Sequence, residues 1–296
     1  MSNLFSVPPP PDTSDTPVWT GSGFLMGAKQ SRVLCYDVAE SGWSDALTDL
    51  HEDIGDEDHY MNAGSREHAL SQLERWLSVP APIVLDIGCS SGYMVKALRR
   101  RLTDAAVVGA DFLRAPLERL GVSMPDLPLL QFDLTRCPLP DRSVDGVVLL
   151  NVLEHVEDDD AALRQIYRIL RPGGVAVIEV PAGPDLFDIY DHQLLHYRRY
   201  RMRDLLLQLR NKGFTIVDRS HLGFLVYPGF WAIKKRNRLF PRAGPEQKRA
   251  TVLASMRWAR DSRLMGFVMR IESRLRDQIY LPFGIRCVVT CRRGEL

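Results

Sequence analysis

Short apolar runs recur along the chain, and polar segments of helical length separate most of them. The runs lie at 83–87, 107–110, 144–150, 175–180, 214–217 and 285–291. Continuous apolar runs of this length are typical of strands that are buried on both faces of a sheet. Strands that alternate with helices predict an α/β fold, in which a doubly wound, mostly parallel sheet carries helices on both faces.

The first run ends in an acid and leads into a turn with two glycines. Residues 83–93 read Ile-Val-Leu-Asp-Ile-Gly-Cys-Ser-Ser-Gly-Tyr, and a helix-like segment follows at 94–102. Gly88 and Gly92 fit such a turn because glycine tolerates positive φ and the close approach of a ligand. A strand, a tight turn and a helix N-terminus in this order predict a nucleotide crevice. The spacing differs from G-x-G-x-x-G, which disfavours a nicotinamide-dependent oxidoreductase.

Further landmarks of such a crevice follow in order. The second strand ends at Asp111, 25 residues after Asp86. An acid at this place can accept hydrogen bonds from both ribose hydroxyls of an adenosine. Asp133 follows the next short run, and the segment 151–155 follows the fourth strand. The turn Arg-Pro-Gly-Gly at 171–174 ends a helix and leads into the fifth strand.

Residues 80–181 resemble the class I S-adenosylmethionine (SAM) methyltransferases. The stretch Asp86–Gly92 is similar to the motif D-x-G-C-G-x-G of that family, with Ser90 in place of the middle glycine. The resemblance implies a Rossmann-like sheet with an antiparallel last strand, and SAM as the cofactor. It also implies that the cofactor is bound by Asp86, Gly88, Cys89, Ser90, Gly92, Asp111, Phe112, Asp133, Leu134 and Asn151. Asp133 has a second interpretation, since an Asp after a strand commonly forms a turn.

The acceptor of the methyl group needs a base only if it carries a proton at neutral pH, as a hydroxyl does. His155 follows the fourth strand and resembles the Glu-His pair of this family, and His192 and His196 follow the fifth strand. We predict His155 or His196 as the catalytic base, although a structural hydrogen bond or a surface position remains the alternative for each. The acceptor or its lid is predicted to contact His59, Tyr60, Tyr197 and Tyr200.

The predicted reaction is methyl transfer from SAM to a hydroxyl or amine of a small molecule, such as a natural product, a sugar or a lipid-like compound. The fourth strand ends in Asn-Val-Leu-Glu rather than Asn/Asp-Pro-Pro-aromatic, and the chain has no Pro-Cys pair. Both facts argue against the methylation of nucleic-acid bases, so no nucleic-acid partner is expected. Two alternatives stay open: a catalytically silent SAM-binding partner protein, and a methyltransferase that acts on a membrane lipid or a lipid-linked acceptor.

No metal site is predicted. The five cysteines are scattered and form no C-x-x-C pair, which excludes the usual zinc and disulfide patterns and favours a reducing, cytoplasmic location. The acids at 157–160 precede a helical segment, where they are interpreted as an N-cap and as partners of the helix dipole rather than as metal ligands.

Five segments are expected. They are a flexible, proline-rich leader at 1–20, an N-terminal cap or lid at 21–79, the SAM-binding core at 80–220, a helical insertion on the acceptor side at 221–280, and a final core strand at 281–296. In the insertion, Leu264, Val268, Ile271 and Leu275 follow the spacing of one helix face, which predicts core packing.

Charge is distributed unevenly along the chain, although the net charge is only +1. Residues 1–80 contain 4 Lys and Arg against 13 Asp and Glu, whereas residues 221–296 contain 16 against 5. We interpret this as contact between the two ends or as solvated surface, while a peripheral contact with a membrane stays open. No apolar run is long enough to span a bilayer. The sequence does not indicate an oligomeric state.

Overall fold

The computed structural model describes residues 6–36, 59–239, 263–276 and 279–294. The strands are β1 (Val18–Trp19), β2 (Phe24–Met26), β3 (Lys29–Ser31), β4 (Val33–Cys35), β5 (Ile83–Ile87), β6 (Ala106–Asp111), β7 (Leu129–Gln131), β8 (Val144–Leu150), β9 (Leu170–Pro181), β10 (Phe214–Leu222) and β11 (Arg286–Arg293). The α-helices are α1 (Tyr60–Trp76), α2 (Tyr93–Arg101), α3 (Arg114–Ser123), α4 (Asp159–Ile169), α5 (Ile189–Gln193), α6 (Met202–Asn211), α7 (Tyr227–Leu239) and α8 (Arg263–Arg276).

The main sheet confirms the predicted topology. Its strand order is β10-β11-β9-β8-β5-β6-β7-β4. Strands β4 to β9 pair in parallel, and the last strand, β11, is antiparallel to both of its neighbours, β9 and β10. From β5 the chain proceeds outward through β6 and β7, and then returns to the other side of β5 at β8. This reversal makes the carboxyl ends of β5 and β8 the place where an open α/β sheet binds its ligand.

Both faces of the sheet are covered, which explains the continuous apolar runs. Leu85 and Val147 belong to one buried cluster, together with apolar residues of α4 and α6. Their neighbours Val84 and Val148 belong to the cluster on the other face, together with apolar residues of α1, α2 and α3. Because side chains alternate between the two faces of a strand, a strand covered on both faces has no position that favours a polar residue.

The N-terminal segments differ from the prediction. Val7 is 2% exposed and Trp19 is 9% exposed, and both belong to the core cluster, so the described part of the predicted flexible leader packs against the core. The hydroxyl of Tyr36 donates a hydrogen bond to the carbonyl of Pro8 at 2.6 Å. Within the predicted cap, β4 extends the main sheet beside β7. The flexible leader was predicted from the proline and polar content of the segment, which gives no sign of the two apolar side chains that anchor it. Residues 37–58, which hold most of the acidic residues of the segment 1–80, lie outside the described residues.

The predicted apolar stripe of the insertion is not the buried face of α8. Ile271 is 38% exposed, whereas Met269 and Glu272 are buried. The carboxylate of Glu272 accepts hydrogen bonds from the backbone N–H groups of Gly223 and Leu225, at 2.6 and 2.9 Å. A charged residue therefore occupies the centre of this face because it caps the chain between β10 and α7. The side chain of Leu264 and residues 240–262 lie outside the described parts, in which no helix is long and apolar enough to cross a membrane.

Candidate functional site

A cavity of about 780 Å³ opens at the carboxyl ends of β5, β6 and β8. Its lining combines the loop after β5, the ends of β6 and β8, the loop after α5, and residues of α1 and β11. The lining residues are Asn62, Ser65, Arg66, Asp86–Ser91, Tyr93, Met94, Ala110–Phe112, Phe132–Arg136, Leu150–Val152, His155–Asp158, His192, Leu195–Tyr197 and Arg286. Nine of the ten residues predicted to bind the cofactor are among them, and Gly92 is not.

Two glycines of the turn after β5 have no room for a side chain. Gly88 has a φ of 76°, and a Cβ there would lie 2.3 Å from Cγ2 of Val152. Gly92 has a φ of 77°, and a Cβ there would lie 2.5 Å from a methyl carbon of Leu120. Gly92 is thus required by the packing of the helix start rather than by the cavity surface. The turn therefore depends on glycine for both its conformation and its close packing.

Ser90, the residue that replaces the middle glycine of the motif, also adopts a positive φ, of 43°. Its backbone N–H donates a hydrogen bond to Oδ2 of Asp111 at 3.0 Å, and the N–H of Leu113 donates to Oδ1 at 3.0 Å. The carboxylate of Asp111 is thus held at the end of β6 by two backbone groups. A carboxylate has about four acceptor positions, so this group can accept hydrogen bonds from a ligand as well.

Asp86 is 3% exposed at the end of β5. Its Oδ2 has no hydrogen-bond partner in the described structure. Burial raises the pKa of Asp86 well above its ordinary value, and the nearby charge of Asp111 raises it further. A buried carboxyl oxygen without a partner is costly unless a ligand supplies a donor. We call Asp86, Gly88, Ser90 and Asp111 the loop side of the cavity.

One carboxylate oxygen of Asp133 accepts hydrogen bonds within the turn that follows it. Its Oδ1 accepts hydrogen bonds from the backbone N–H and the hydroxyl of Thr135, both at 2.8 Å. The turn-forming interpretation of Asp133 is therefore correct for this oxygen, and a contact with an adenine amino group would have to use Oδ2. Asn151, which lines the cavity at the end of β8, donates from Nδ2 to Oε1 of Glu179 at 2.8 Å.

His155 and His196 both line the cavity, and their rings contact each other. Their ring centroids lie 4.7 Å apart, and the rings are arranged edge to face. Nδ1 of His196 lies 2.9 Å from Oδ1 of Asp191. Burial lowers the pKa of His196, although the hydrogen bond to Asp191 acts in the opposite direction. An ionised carboxylate can only accept, so Nδ1 of His196 carries the proton and its Nε2 keeps a lone pair.

Asp191 is the centre of a buried ion-pair network behind His196. Its carboxylate also contacts Nε of Arg199 at 2.6 Å and Nζ of Lys234 at 3.1 Å. Burial alone would raise the pKa of Asp191, but the hydrogen bond from His196 and the charges of Arg199 and Lys234 lower it below its ordinary value. Lys234 lies on α7, so the insertion helps to fix the position of the histidine.

Glu154 precedes His155 and is 1% exposed. Its Oε2 has no hydrogen-bond partner in the described structure, and burial raises the pKa of its carboxyl to about 8. One carboxylate oxygen of Glu154 and one ring nitrogen from each of His155 and His196 lie within 4.8 Å of one another. We call these three residues, of which His155 and His196 line the cavity, the histidine side.

The comparisons with known proteins agree on the family. Residues 85–178 match the family described as a methyltransferase domain. A probable SAM-dependent methyltransferase of Mycolicibacterium smegmatis is 31% identical over 140 residues, which are 46% of this chain and 52% of that protein. A malonyl-[acyl-carrier protein] O-methyltransferase of Coxiella burnetii is 30% identical over 163 residues, which are 51% of this chain and 56% of that protein. Residues 85–178 thus match a methyltransferase domain, and the chain is similar to SAM-dependent methyltransferases.

The structural comparison supports the same fold for the methyltransferase domain. The solved structure of phosphoethanolamine N-methyltransferase 2 from Haemonchus contortus, in complex with SAM, has a TM-score of 0.53 and 19% sequence identity. The match covers 87% of this chain and 59% of that one. The identity is low, so this likeness concerns the fold alone. The chain spans about half the length of the two curated relatives named above.

Some of the residues predicted for the site do not line the cavity. Tyr200, predicted to contact the acceptor, is 6% exposed and does not line the cavity, and its hydroxyl donates to Oδ2 of Asp159 at 2.8 Å. His59 and Tyr60 stack on each other, with ring centroids 4.7 Å apart, and neither lines the cavity. Tyr60 packs instead with Leu222 and Met269. The sequence predicted that these aromatic residues lie near the site, but it could not predict the direction of their side chains.

Tyr197 and His192 do line the cavity, as does His196. The interpretation of the acids at 157–160 as a helix N-cap is confirmed, because the side chain of Asp158 accepts a hydrogen bond from the backbone N–H of Ala161. No signal in the sequence separated the inward-facing residues of 192–200 from Tyr200, since this loop has no regular period.

A polar network on the wall of the cavity was not predicted from the sequence. Oε1 of the buried Glu179 accepts hydrogen bonds from the hydroxyl of Ser65 at 2.9 Å and from Nη1 of Arg286 at 2.8 Å. Nη2 of Arg286 also donates to Oδ1 of Asn62 at 3.1 Å. The network joins α1, β9 and β11, and its only early signal was the unusual acid inside the apolar run 175–180.

Proposed function

We propose that the protein transfers a methyl group from SAM to a hydroxyl or an amine of a small molecule. The observation that carries this proposal is that the loop side and the two histidines of the histidine side line one cavity. Its volume, about 780 Å³, lies in the range of small-molecule and cofactor sites, roughly 300–1,000 Å³. The matched relatives include a protein named as an O-methyltransferase, which supports an oxygen acceptor.

The residues of the loop side fit SAM. Gly88 leaves no side chain between the backbone and the cavity, and Ser90 adds only a small one. Asp111 presents a fixed carboxylate for ribose hydroxyls. The unpartnered oxygen of Asp86 suits a donor or a cationic group of the ligand, which would offset the cost of its burial. These residues would hold the cofactor, with Phe112, Leu134 and Asn151 beside them.

SAM supplies a methyl group that is already activated by the positive sulfur. The protein contributes alignment and the exclusion of water, because an in-line displacement depends on the orientation of the reacting atoms. An acceptor hydroxyl must also lose its proton, whereas the sulfur leaves as a neutral thioether. Glu154, His155 and His196 are the groups placed for this task, and Asp191 keeps the lone pair of His196 on Nε2. As a free base, either histidine would take the proton directly, as the sequence predicts.

A lipid-like acceptor remains the second candidate class. The insertion exposes large apolar side chains, with Trp231 44% and Phe267 53% exposed, and Lys235 and Arg270 lie over these rings. Aromatic side chains beside cationic ones are typical of surfaces that touch a membrane or bind an amphiphile. This observation concerns the choice of acceptor and leaves the proposed transfer unchanged.

The test uses the full chain with SAM that carries an isotope-labelled methyl group. Aqueous and lipid fractions of a cell extract are incubated separately, and mass spectrometry identifies labelled products. We expect a labelled small molecule and formation of S-adenosylhomocysteine. SAM that binds by calorimetry, with no labelled product in either fraction, would support a silent SAM-binding protein. A protein stabilised by NAD and not by SAM in a thermal-shift assay would contradict the cofactor assignment.

A further inference from the structure

The histidine side has the composition of a metal site. It offers two imidazoles and one carboxylate, whose ligand atoms all lie within 4.8 Å of one another. Metal ions with nitrogen and oxygen ligands at about 2.0–2.2 Å need donor atoms about 3–4 Å apart, so small side-chain rotations would close the group around an ion. The three ligands come from a short 3₁₀ turn at Leu153–His155 and from the loop after α5.

A second observation points independently to a cation. Glu154 is 1% exposed, and its Oε2 has no hydrogen-bond partner among the described residues. A carboxylate removed from water is stable when it is paired or when it coordinates a metal. The nearby cations are already directed at other acids: Arg286 contacts Glu179, and Arg199 and Lys234 contact Asp191. The group therefore has a carboxylate oxygen available for a ligand.

The contact behind His196 is the one that metal-binding histidines make. Nδ1 of His196 donates to Asp191 at 2.9 Å, which leaves Nε2 as the ligand atom. A carboxylate behind a histidine fixes its tautomer and ring orientation, and it increases the basicity of the ligand nitrogen. Asp191 is in turn held by Arg199 and Lys234, so the ring has little freedom to turn away.

We propose that Glu154, His155 and His196 bind a divalent transition-metal ion beside the SAM pocket. Two imidazoles and one carboxylate suit Zn²⁺, Fe²⁺ or Mn²⁺. Three protein ligands leave coordination positions open, and these face the cavity because His155 and His196 line it. The ion would select an acceptor with an oxygen donor, such as a hydroxyl.

The reaction with such an acceptor balances without a redox step. The acceptor hydroxyl loses its proton to solvent, since a bound cation lowers the pKa of an oxygen ligand. The oxygen uses its electron pair to form the bond to the methyl carbon, while the sulfur–methyl bond breaks and its pair stays on sulfur. The cation is neither oxidised nor reduced. This role rests on the proposed methyl transfer, whereas the binding of the cation does not.

The experiment measures metal binding by the full chain after treatment with EDTA and dialysis. Co²⁺ is titrated and followed by visible absorption, and Zn²⁺ is titrated by calorimetry. We expect saturable binding of one equivalent of Co²⁺, which Zn²⁺ displaces. Glu154→Gln, His155→Gln and His196→Gln should each weaken Zn²⁺ binding more than about hundredfold. Asp191→Asn should weaken it about ten- to hundredfold, because it acts through His196.

Two matched variants serve as controls. His192→Gln and Asp158→Asn change side chains that line the same cavity but lie outside the ligand group, so Zn²⁺ binding should stay within about twofold of the wild type. Thermal melts without metal identify any variant that fails to fold. The ligand variants that do fold then decide whether these residues bind the metal. Absence of one-to-one binding in the wild type, or equal binding in the folded ligand variants, would overturn the proposal.

SAM calorimetry on the same samples separates this inference from the proposed function. SAM binding without metal binding leaves the methyltransferase and overturns the metal site. Metal binding without SAM binding leaves the metal site and overturns the proposed methyltransferase function. Methyl transfer that EDTA abolishes and Zn²⁺, Fe²⁺ or Mn²⁺ restores would assign the cation its role, whereas transfer that survives EDTA at full rate would leave His155 or His196 as a free base.

Discussion

The loop side of the cavity comes from a short stretch of chain and one further strand end, whereas the histidine side is built by segments that are distant in sequence. Gly88 and Ser90 lie within five residues of Asp86, and Asp111 ends the neighbouring strand β6. On the other side, His155 meets His196, which Asp191 holds, and Lys234 from α7 holds Asp191 in turn. A local motif thus forms the surface proposed for the cofactor, and long-range packing forms the surface proposed for the chemistry.

The physical reason is that the loop side presents mainly backbone groups, whereas the histidine side presents side chains. A loop that binds a nucleotide presents backbone groups, and their positions follow from φ values that glycine and Ser90 set locally. A catalytic or metal-binding group presents side chains, which must be fixed against their own rotational freedom. Buried ion pairs such as Lys234 with Asp188 and Asp191 do this through contacts between elements. The loop side should therefore respond to mutation in binding, and the histidine side in turnover.

The largest effect is expected at the histidine side. His155→Gln should reduce turnover by about 10²–10⁴-fold, the usual contribution of a general base, and a lost metal ligand should have a similar effect. SAM affinity should stay within about twofold, because His155 belongs to the other side of the cavity. Turnover at saturating SAM and calorimetry of SAM binding measure the two quantities. His192→Gln is the matched control and should lose less than about tenfold. Full turnover in His155→Gln would remove the distinction between the two sides.

The next effect is expected at the loop side. Asp111→Ala should weaken SAM binding by about ten- to hundredfold, because hydrogen bonds to a charged group contribute about 1.5–3 kcal/mol. Calorimetry measures the affinity, and a thermal melt checks that the variant folds without the acceptor for the N–H groups of Ser90 and Leu113. Asp133→Asn should have a smaller effect, since one oxygen of Asp133 already serves Thr135. Unchanged SAM affinity in a folded Asp111→Ala variant would contradict the ribose assignment.

The smallest effect is expected at Tyr200, whose hydroxyl also donates to the carbonyl of Leu153, next to the histidine side. Tyr200→Phe removes the hydrogen bond to Asp159, which Gln208 and Arg198 also contact. The free energy of unfolding should fall by about 1–2 kcal/mol, which lowers the Tm by a few degrees, roughly 2–4 °C per kcal/mol. Turnover and SAM affinity should stay near the wild-type values. A large loss of turnover without a loss of stability would support the predicted acceptor role of Tyr200 and contradict a purely structural one.

The segments that the sequence predicted correctly are those with a strong local pattern. The strands β5, β6, β8 and β9 follow apolar runs with no polar face, and the last strand is antiparallel, as the resemblance implied. The errors fall where one side chain decides the outcome. Val7 and Trp19 anchor a proline-rich segment, and Glu272 replaces the expected apolar stripe because it caps a distant loop. Such contacts join residues that no periodic pattern relates.

The amino-acid sequence by itself determined that a mostly parallel, doubly covered sheet forms and that a glycine turn stands at Asp86–Gly92, because burial on two faces and backbone conformation are properties of short segments. Only the tertiary structure decided which side chains after β8 and β9 share the cavity. It brought Glu154 and His155 to His196, placed Arg286 on Glu179, and turned Tyr200 into the core. The direction of a loop side chain is set by the partners that satisfy its polar atoms, and those partners lie on other elements of the fold.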